Sequence, residues 1–336
     1  MAQSGLRIAL LGATGAVGRE ILAQLEERDF PVGSLRAFAS EASEGAEVEL
    51  RGEQIRVEAL TTPALLDSDL ILCAAPGVLR GRLEEIARNR TFLVDVSGAL
   101  ELDPEVPLHL LGCSPRGANE EGTRWLAIPR GVVAGLGITL SPLSQQVGLE
   151  RVTALTLESA SGAGRAGASE LANQTAQLLN AMLGEVGEPE VFPRALAFDC
   201  LPLVGERLEG EESSEERRLR HVLRRLLAAP GLPIEVTRVR VPIFGGSLAC
   251  VHVELSGELG LDGARALWEK QPGVEVLDEK QWPTPRNSMG TDVIHLGRIR
   301  TDEGGRKLAF VLALDDLRRG SALAAVAAAE RLFRLS

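Results

Sequence analysis

The 336-residue chain predicts an α/β protein of two domains: an N-terminal doubly wound parallel sheet, then a larger α+β domain built on a mixed sheet. Three observations carry this expectation. The length exceeds what a single hydrophobic core ordinarily organises. The first third alternates short apolar runs with amphipathic segments, which is the pattern of βαβ units. From residue 151 onward the pattern changes to alternating-polarity strands mixed with helices.

In the first third, "RIALLG" (7–12) reads as a buried strand, and "AVGREILAQLEE" follows with Val17, Ile21 and Leu25 one helical turn apart. Further strands are expected at 34–40, 69–75 and 91–97, with a helix over 79–89. "AIPRGVVAGLG" (127–137) forms a turn on Pro129 and Gly131 that opens into an apolar run, the mouth of a buried helix. Such a mouth can bind an anion or lower a nucleophile's pKa. Beyond it, "RVTALTLESASGAG" (151–164) is a strand running into a glycine loop, and a helix spans 168–183. The helix over 213–227 begins with a capping box, Ser213 to Glu216. Strands follow at 235–243, 248–256, 293–300 and 308–315, and an alanine-rich helix over 318–335 closes the chain.

Composition excludes several classes of function. A net charge of −11 gives no basic stripe for nucleic acid, and with no tyrosine and 3% aromatic residues there is no base-stacking platform. Apolar runs are broken by Gly, Pro or charge well before the roughly 18 residues a membrane span needs. No leader peptide is evident in "MAQSGLRIALLGATG". Cys73, Cys113, Cys200 and Cys250 are scattered without a CxxC, as expected of reduced thiols in the cytoplasm. His109, His221, His252 and His295 are dispersed, and Cys250 with His252 is too small a ligand set for zinc, so no metal is expected.

"GATGAVG" (12–18) lies between a strand and a helix, where glycines let a pyrophosphate approach the backbone amides. Its G-x-x-G-x-x-G spacing, in that context, predicts a Rossmann-type dinucleotide site using Gly12, Thr14, Gly15, Ala16 and Val17. The cofactor's ribose should approach "ASEASEG" (39–45), where Ser40 and Ser43 can hydrogen-bond it. Glu41 and Glu44 add negative charge there and no Lys or Arg interrupts the run, so of NAD and NADP the sequence favours NAD.

In order along nearly the whole chain, "GATGAVG", "DVSGALELDPEVPL" (95–108), "SASGAGRAGASEL" (159–171), "VRVPIFGG" (239–246) and "GRIRTD…LALDDLRRGSALAA" (297–325) resemble the aspartate-β-semialdehyde dehydrogenase family. The resemblance implies a dinucleotide-binding domain of residues 1–130 completed by 317–336, and a catalytic and dimerising domain of 131–316. It also implies a mechanism, in which a cysteine at a helix N-terminus attacks an aldehyde, a histidine acts as acid and base, hydride passes to NADP, and phosphate releases the acyl group.

At the residues that would carry this chemistry the chain departs from the family. The cysteine position falls on Gly131 and the histidine position on Ser247. A glutamine before the glycine loop is replaced by Glu158, the phosphate-binding arginine by Glu101, and the arginine of the 2′-phosphate loop by Ala42. Retained are Arg240, where the family holds a substrate carboxylate, Glu215 and Arg218 on the helix that follows the acidic loop, and the loop residues Ser161 and Gly162, which join the expected cofactor-binding set. Surface ion pairing is the competing reading for Arg240, Glu215 and Arg218. The leading expectation is therefore a homodimeric, nucleotide-binding paralogue without the parent activity. Two alternatives stand beside it: an enzyme whose nucleophile has moved to Cys113, and a non-catalytic partner in mixed dimers with an active homologue.

Overall fold

The computed structural model describes residues 5–113, 122–180 and 187–335, which divide into two compact units. The first comprises residues up to Arg130 and from Ser321 to the end; the second runs from Gly131 to Gly320.

The first unit begins with β1 (Leu6–Leu11), α1 (Ala16–Glu27) and β2 (Val32–Ala39). A hairpin of β3 (Glu47–Leu50) and β4 (Glu53–Ala59) comes next, then α2 (Thr62–Leu66), β5 (Leu70–Cys73), α3 (Leu83–Asn89), β6 (Phe92–Asp95) and β7 (Trp125–Ala127). These form a seven-stranded sheet in the order β3-β4-β2-β1-β5-β6-β7, parallel except where β3 meets β4. The chain winds outward from β1 in both directions, so the strand order reverses beside its C-terminal end, where open α/β sheets bind ligands. The sequence pattern passed over the hairpin because its outward positions are charged; Val48 and Leu50 alone are buried on β3. Its two-residue turn puts Arg51 and Gly52 at φ +53° and +78°, the left-handed pair that matches strand twist. The expected 79–89 helix starts only at Leu83, after turns at Gly77 and Gly81 with positive φ.

The second unit contains α4 (Val132–Gln146), β8 (Leu149–Glu158), α5 (Gly164–Asn180), α6 (Ser214–Leu226), β9 (Ile234–Arg240) and β10 (Ser247–Leu255). It continues with α7 (Leu261–Glu269), β11 (Val274–Val276), a single turn α8 (Pro285–Ser288), β12 (Ile294–Thr301) and β13 (Lys307–Leu314). The tail of the expected 168–183 helix, residues 181–183, lies outside the described residues. The sheet is mixed, in the order β11-β12-β13-β10-β8-β9, with parallel pairs at its two ends. Helix α4 is apolar on all sides and buried from Val132 through Ser141 because it packs on the sheet and on α6 and α7 at once. Trp268 of α7 is fully buried against Phe310 and donates its indole N–H to the Thr139 carbonyl of α4 at 2.8 Å. The opposite face of the sheet stays open, with Arg151, Leu155, Thr237, His252 and Lys307 exposed on it. Cys250 shares that face and is half-buried.

A π-helical turn, Arg318–Ala322, leads into α9 (Leu323–Phe333). Within the first unit α9 packs its alanine-rich face on α1 and β6, with Phe333 against Phe92 and Glu330 paired to Arg28. Small side chains allow that close approach.

The capping box on α6 forms in both directions: Ser213 Oγ accepts from Glu216 N at 3.0 Å, and Glu216 Oε2 accepts from Ser213 N at 2.8 Å. Ser213→Ala removes one half of it in a fully buried position. It is expected to cost about 1 kcal/mol, read as a lowered urea midpoint with an unchanged denaturant slope.

Candidate functional site

In the first unit, "GATGAVG" forms the turn from β1 into α1. Gly12 has φ +83°, and a side chain there would press on Ala75 at 3.0 Å. A Cβ on Gly18 would lie 2.1 Å from the Gly12 carbonyl oxygen, so glycine is what lets the helix sit this close to the strand. Gly15 caps α1 with no side-chain hydrogen bond, and no acidic residue occupies the first turn. The amides of Ala16 and Val17 thus face outward, uncapped by the chain's own side chains, and fit a pyrophosphate. Thr14 Oγ1 donates to Ser43 Oγ at 3.4 Å, drawing the 40–45 loop to the glycine turn, while Ser40 stays exposed. Two cations nearby escaped the reading of the loop alone. Arg19 donates to the Thr14 carbonyl, and the Arg56 guanidinium of β4 stands 3.6 Å from where a Cβ on Gly45 would be. Strand pairing brings Arg56 there; neighbours in sequence do not reveal it.

In the second unit, three of the singled-out residues share one rung of the sheet. Ser247 on β10 is paired with Glu158 on β8, and Glu158 with Arg240 on β9. Residues directly opposite one another point to the same face, and all three are buried on the helix-covered side. One rung further along, Arg238 and Thr156 flank them. Arg238 grips Glu158 bidentately, at 2.6 and 2.8 Å, and reaches the Glu215 carboxylate and carbonyl on α6 at 3.1 and 3.0 Å. Burial works against both charges of the Glu158–Arg238 pair. Their mutual attraction prevails, holding the carboxyl below its ordinary range and the guanidinium above its own.

Arg240 is not in a surface ion pair. It is buried, and its Nη1 donates to the Ser159 carbonyl at 2.6 Å over Gly162, where a Cβ would clash with it at 2.4 Å. Burial lowers its pKa. Ser161 sits in the same loop, its hydroxyl 2.9 Å from that of Ser159, just ahead of α5. Glu215 and Arg218 do pair, at 2.8 Å on α6, and Glu215 is shared with Arg238.

Gly131 caps α4 at φ +59°, ψ −137°, a conformation essentially confined to glycine. Its amide donates to Gly320 O at 2.9 Å, and a Cβ on Gly320 would come within 3.0 Å of Gly131 Cα. The group facing Gly131 is one that sequence reasoning missed. Asp316 Oδ1 lies 3.5 Å from where a Cβ on Gly131 would stand, and its Oδ2 accepts from Ser247 Oγ at 2.7 Å. Burial, only partly offset by the Ser247 hydrogen bond, pushes this carboxyl up to about 7. Asp316 therefore joins position 131 to position 247.

The remaining candidates are structural in their surroundings. Glu101 and Cys113 are buried in the first unit, and Cys113 N donates to the Leu110 carbonyl in a tight turn. Ala42 is exposed in a short 3₁₀ turn, Glu41–Ser43. Cys73 is buried in β5, where burial pushes its thiol up to about 12, too high for a nucleophile at neutral pH. Among the described residues no group of three or more His, Cys, Asp or Glu side chains is placed to hold a metal, and no helix is long and apolar enough to cross a membrane.

Comparison with known proteins matches residues 7–116 to a semialdehyde dehydrogenase NAD binding domain and residues 140–319 to a semialdehyde dehydrogenase dimerisation domain. The chain is similar to aspartate-semialdehyde dehydrogenase of Streptomyces akiyoshiensis, 35% identical with 97% of this chain and 98% of that one covered. It is equally similar to the USG-1 protein homolog of Azotobacter vinelandii, 35% identical over 97% of each. Among solved structures it resembles aspartate semialdehyde dehydrogenase II of Vibrio cholerae complexed with ASA, with a TM-score of 0.91, 30% identity, and 98% and 99% of the two chains covered.

The buried Asp316 carboxyl has a measurable consequence for stability. Unfolded, it ionises near 3.8; folded, near 7, so between these values the folded state holds a proton that the unfolded state has released. Its contribution is intact below about pH 4 and is lost as pH rises to about 7, by at most about 4 kcal/mol (about three pH units at about 1.36 each). Asp316→Asn keeps the shape without the charge. The variant should match the wild type near pH 4 and become progressively more stable than it up to pH 7–8 in urea melts; a stability difference independent of pH would contradict this.

Proposed function

Since the chain belongs to the aspartate-semialdehyde dehydrogenase family, we propose that it is a nucleotide-binding, dimeric member that does not carry out the family's phosphorylating aldehyde oxidation. The observation that carries this reading is the mouth of α4. Where the resemblance places a thiol, Gly131 offers no side chain, and the Asp316 carboxyl faces it. Where the resemblance places an imidazole, the Ser247 hydroxyl donates a hydrogen bond to that same carboxyl. Losing a nucleophile or base from a concerted set costs on the order of 10⁶ in turnover, as measured in a serine protease. The phosphate-binding position holds Glu101, a buried acid. Cys113, buried in a turn, is a packing residue in this reading.

A bound nicotinamide dinucleotide would supply a hydride donor or acceptor. The chain's own residues bind and orient it: the amides of Ala16 and Val17 take the pyrophosphate, the Gly15 amide closes the turn on the Gly12 carbonyl, and Ser40 and Ser43 reach the ribose beside Thr14. Exposed Glu41 and Glu44 favour NAD over NADP, with Arg56 the cation that works the other way. Arg240 is the retained anchor for a ligand carboxylate: buried, and hydrogen-bonded to a carbonyl while Arg238 takes Glu158 and Glu215. The open face of the second unit's sheet, with Leu155 39% exposed and Leu157, Leu248 and Val311 half-buried, is the surface for a second copy. The free thiols fit a cytoplasmic protein.

The deciding assay follows the near-ultraviolet absorbance of reduced nicotinamide with aspartate semialdehyde, phosphate and either NADP or NAD, beside an active relative. Turnover more than a hundredfold below that relative is expected, with NAD raising the melting temperature more than NADP. Turnover within a hundredfold would overturn the reading; absence of any shift with either nucleotide would favour a partner subunit in mixed dimers. Leu155→Arg should convert dimer to monomer in light scattering after gel filtration, while Leu179→Arg, at an exposed α5 position, should not.

A further inference from the structure

We propose that Asp316, hydrogen-bonded to Ser247, is the proton-exchanging group of the second unit: a carboxylate ligand anchored on Arg240 binds there together with one proton, which Asp316 takes up. This rests on the reading of Arg240 as a carboxylate anchor and adds what the ligand must bring with it.

Charge and placement lead to it. Four ionisable side chains are gathered at one end of β8, β9 and β10 and the segment after β13: Glu158, Arg238, Arg240 and Asp316. Glu158 is committed to Arg238 by two hydrogen bonds, with a third from Thr156. Arg240 has the Ser159 carbonyl, and among the described residues no carboxylate stands at ion-pairing distance from its guanidinium. Among the groups facing Asp316 are Glu158 from β8, Arg240 and Arg238 from β9, Ser247 from β10, and neighbouring Asp315, whose carboxylate holds the amides of Gly290, Leu317 and Arg318. Arg240 favours the charged form of Asp316; Glu158 and Asp315 oppose it. A ligand carboxylate arriving at Arg240 takes over that cation and adds another like charge. Both changes raise the proton affinity of Asp316.

The protonated acid has a use. It donates to Ser247 or onward, leaving the Ser247 hydroxyl free to donate to a carbonyl or hydroxyl oxygen of the same ligand. The chemistry selected is a small acid with a second oxygen along its chain. Asp316 is already poised near neutrality, so the proton costs little there.

The test uses 3-hydroxypropionate and 4-hydroxybutyrate as probes of the full chain, titrated calorimetrically between pH 5.5 and 8.5 in buffers of different ionisation heat. Uptake close to one proton per ligand is expected at pH 8 and close to none at pH 5.5. Affinity should fall about 15-fold between pH 7 and 8.5, following the tenfold-per-unit limit above the free group's pKa. In Asp316→Asn both effects should vanish, and the variant should bind about 30-fold tighter than the wild type at pH 8.5. Arg240→Gln should abolish binding at every pH. Binding without proton uptake, or a variant at 316 with the wild-type slope, overturns the proposal and leaves the anchor standing. If neither acid binds at any pH, or Arg240→Gln binds undiminished, the anchor reading falls and this proposal with it.

Discussion

The bidentate pair between Glu158 and Arg238 is the constraint around which the second unit's polar cluster is arranged. Two charges taken out of water are costly to bury, and only close geometry with every remaining polar atom engaged offsets that cost. The chain meets this by placing them on adjacent parallel strands, where the register sets their separation, and by adding Thr156 and Glu215 to fill the remaining positions. Once Arg238 is spoken for, the positions of its neighbours follow. Arg240 turns to a backbone carbonyl over Gly162, and Asp316 accepts a hydrogen bond from Ser247.

The dinucleotide turn is governed by a different kind of constraint, steric instead of electrostatic. Gly12 and Gly18 are required by the closeness of strand, turn and helix, and the uncapped N-terminus of α1 accompanies that closeness. A phosphate-sized anion is the group that such a turn can receive at no further conformational cost. The two units thus present hydrogen-bond donors by separate means, one with backbone amides and the other with a buried guanidinium.

Much of the architecture was legible because it repeats: apolar runs alternating with helical stripes announce the parallel sheet, and a capping box announces α6. The β3–β4 hairpin was not, since its exposed positions are charged and its turn, Arg51-Gly52, lacks the usual asparagine or aspartate. In the site, Gly131, Ser247 and Glu158 stand out only against the family pattern. Asp316 and Arg238 stand out against nothing. An acid beside another acid in "LDDLRRG" reads as a solvated turn, and an arginine at an alternate strand position reads as an outward-facing one. Cross-strand register and the return of the chain after β13 bring them to the cluster, and neither is local in sequence.

The backbone at position 131 carries a consequence for redesign. A side chain there would have to adopt φ +59°, ψ −137°, at about 1–3 kcal/mol of strain, while its Cβ would meet the Asp316 carboxyl only at an ordinary 3.5 Å. Space is therefore not what bars a thiol from the mouth of α4; the path of the main chain is. An engineer who wants a nucleophile at this turn has to rebuild the turn before choosing the side chain.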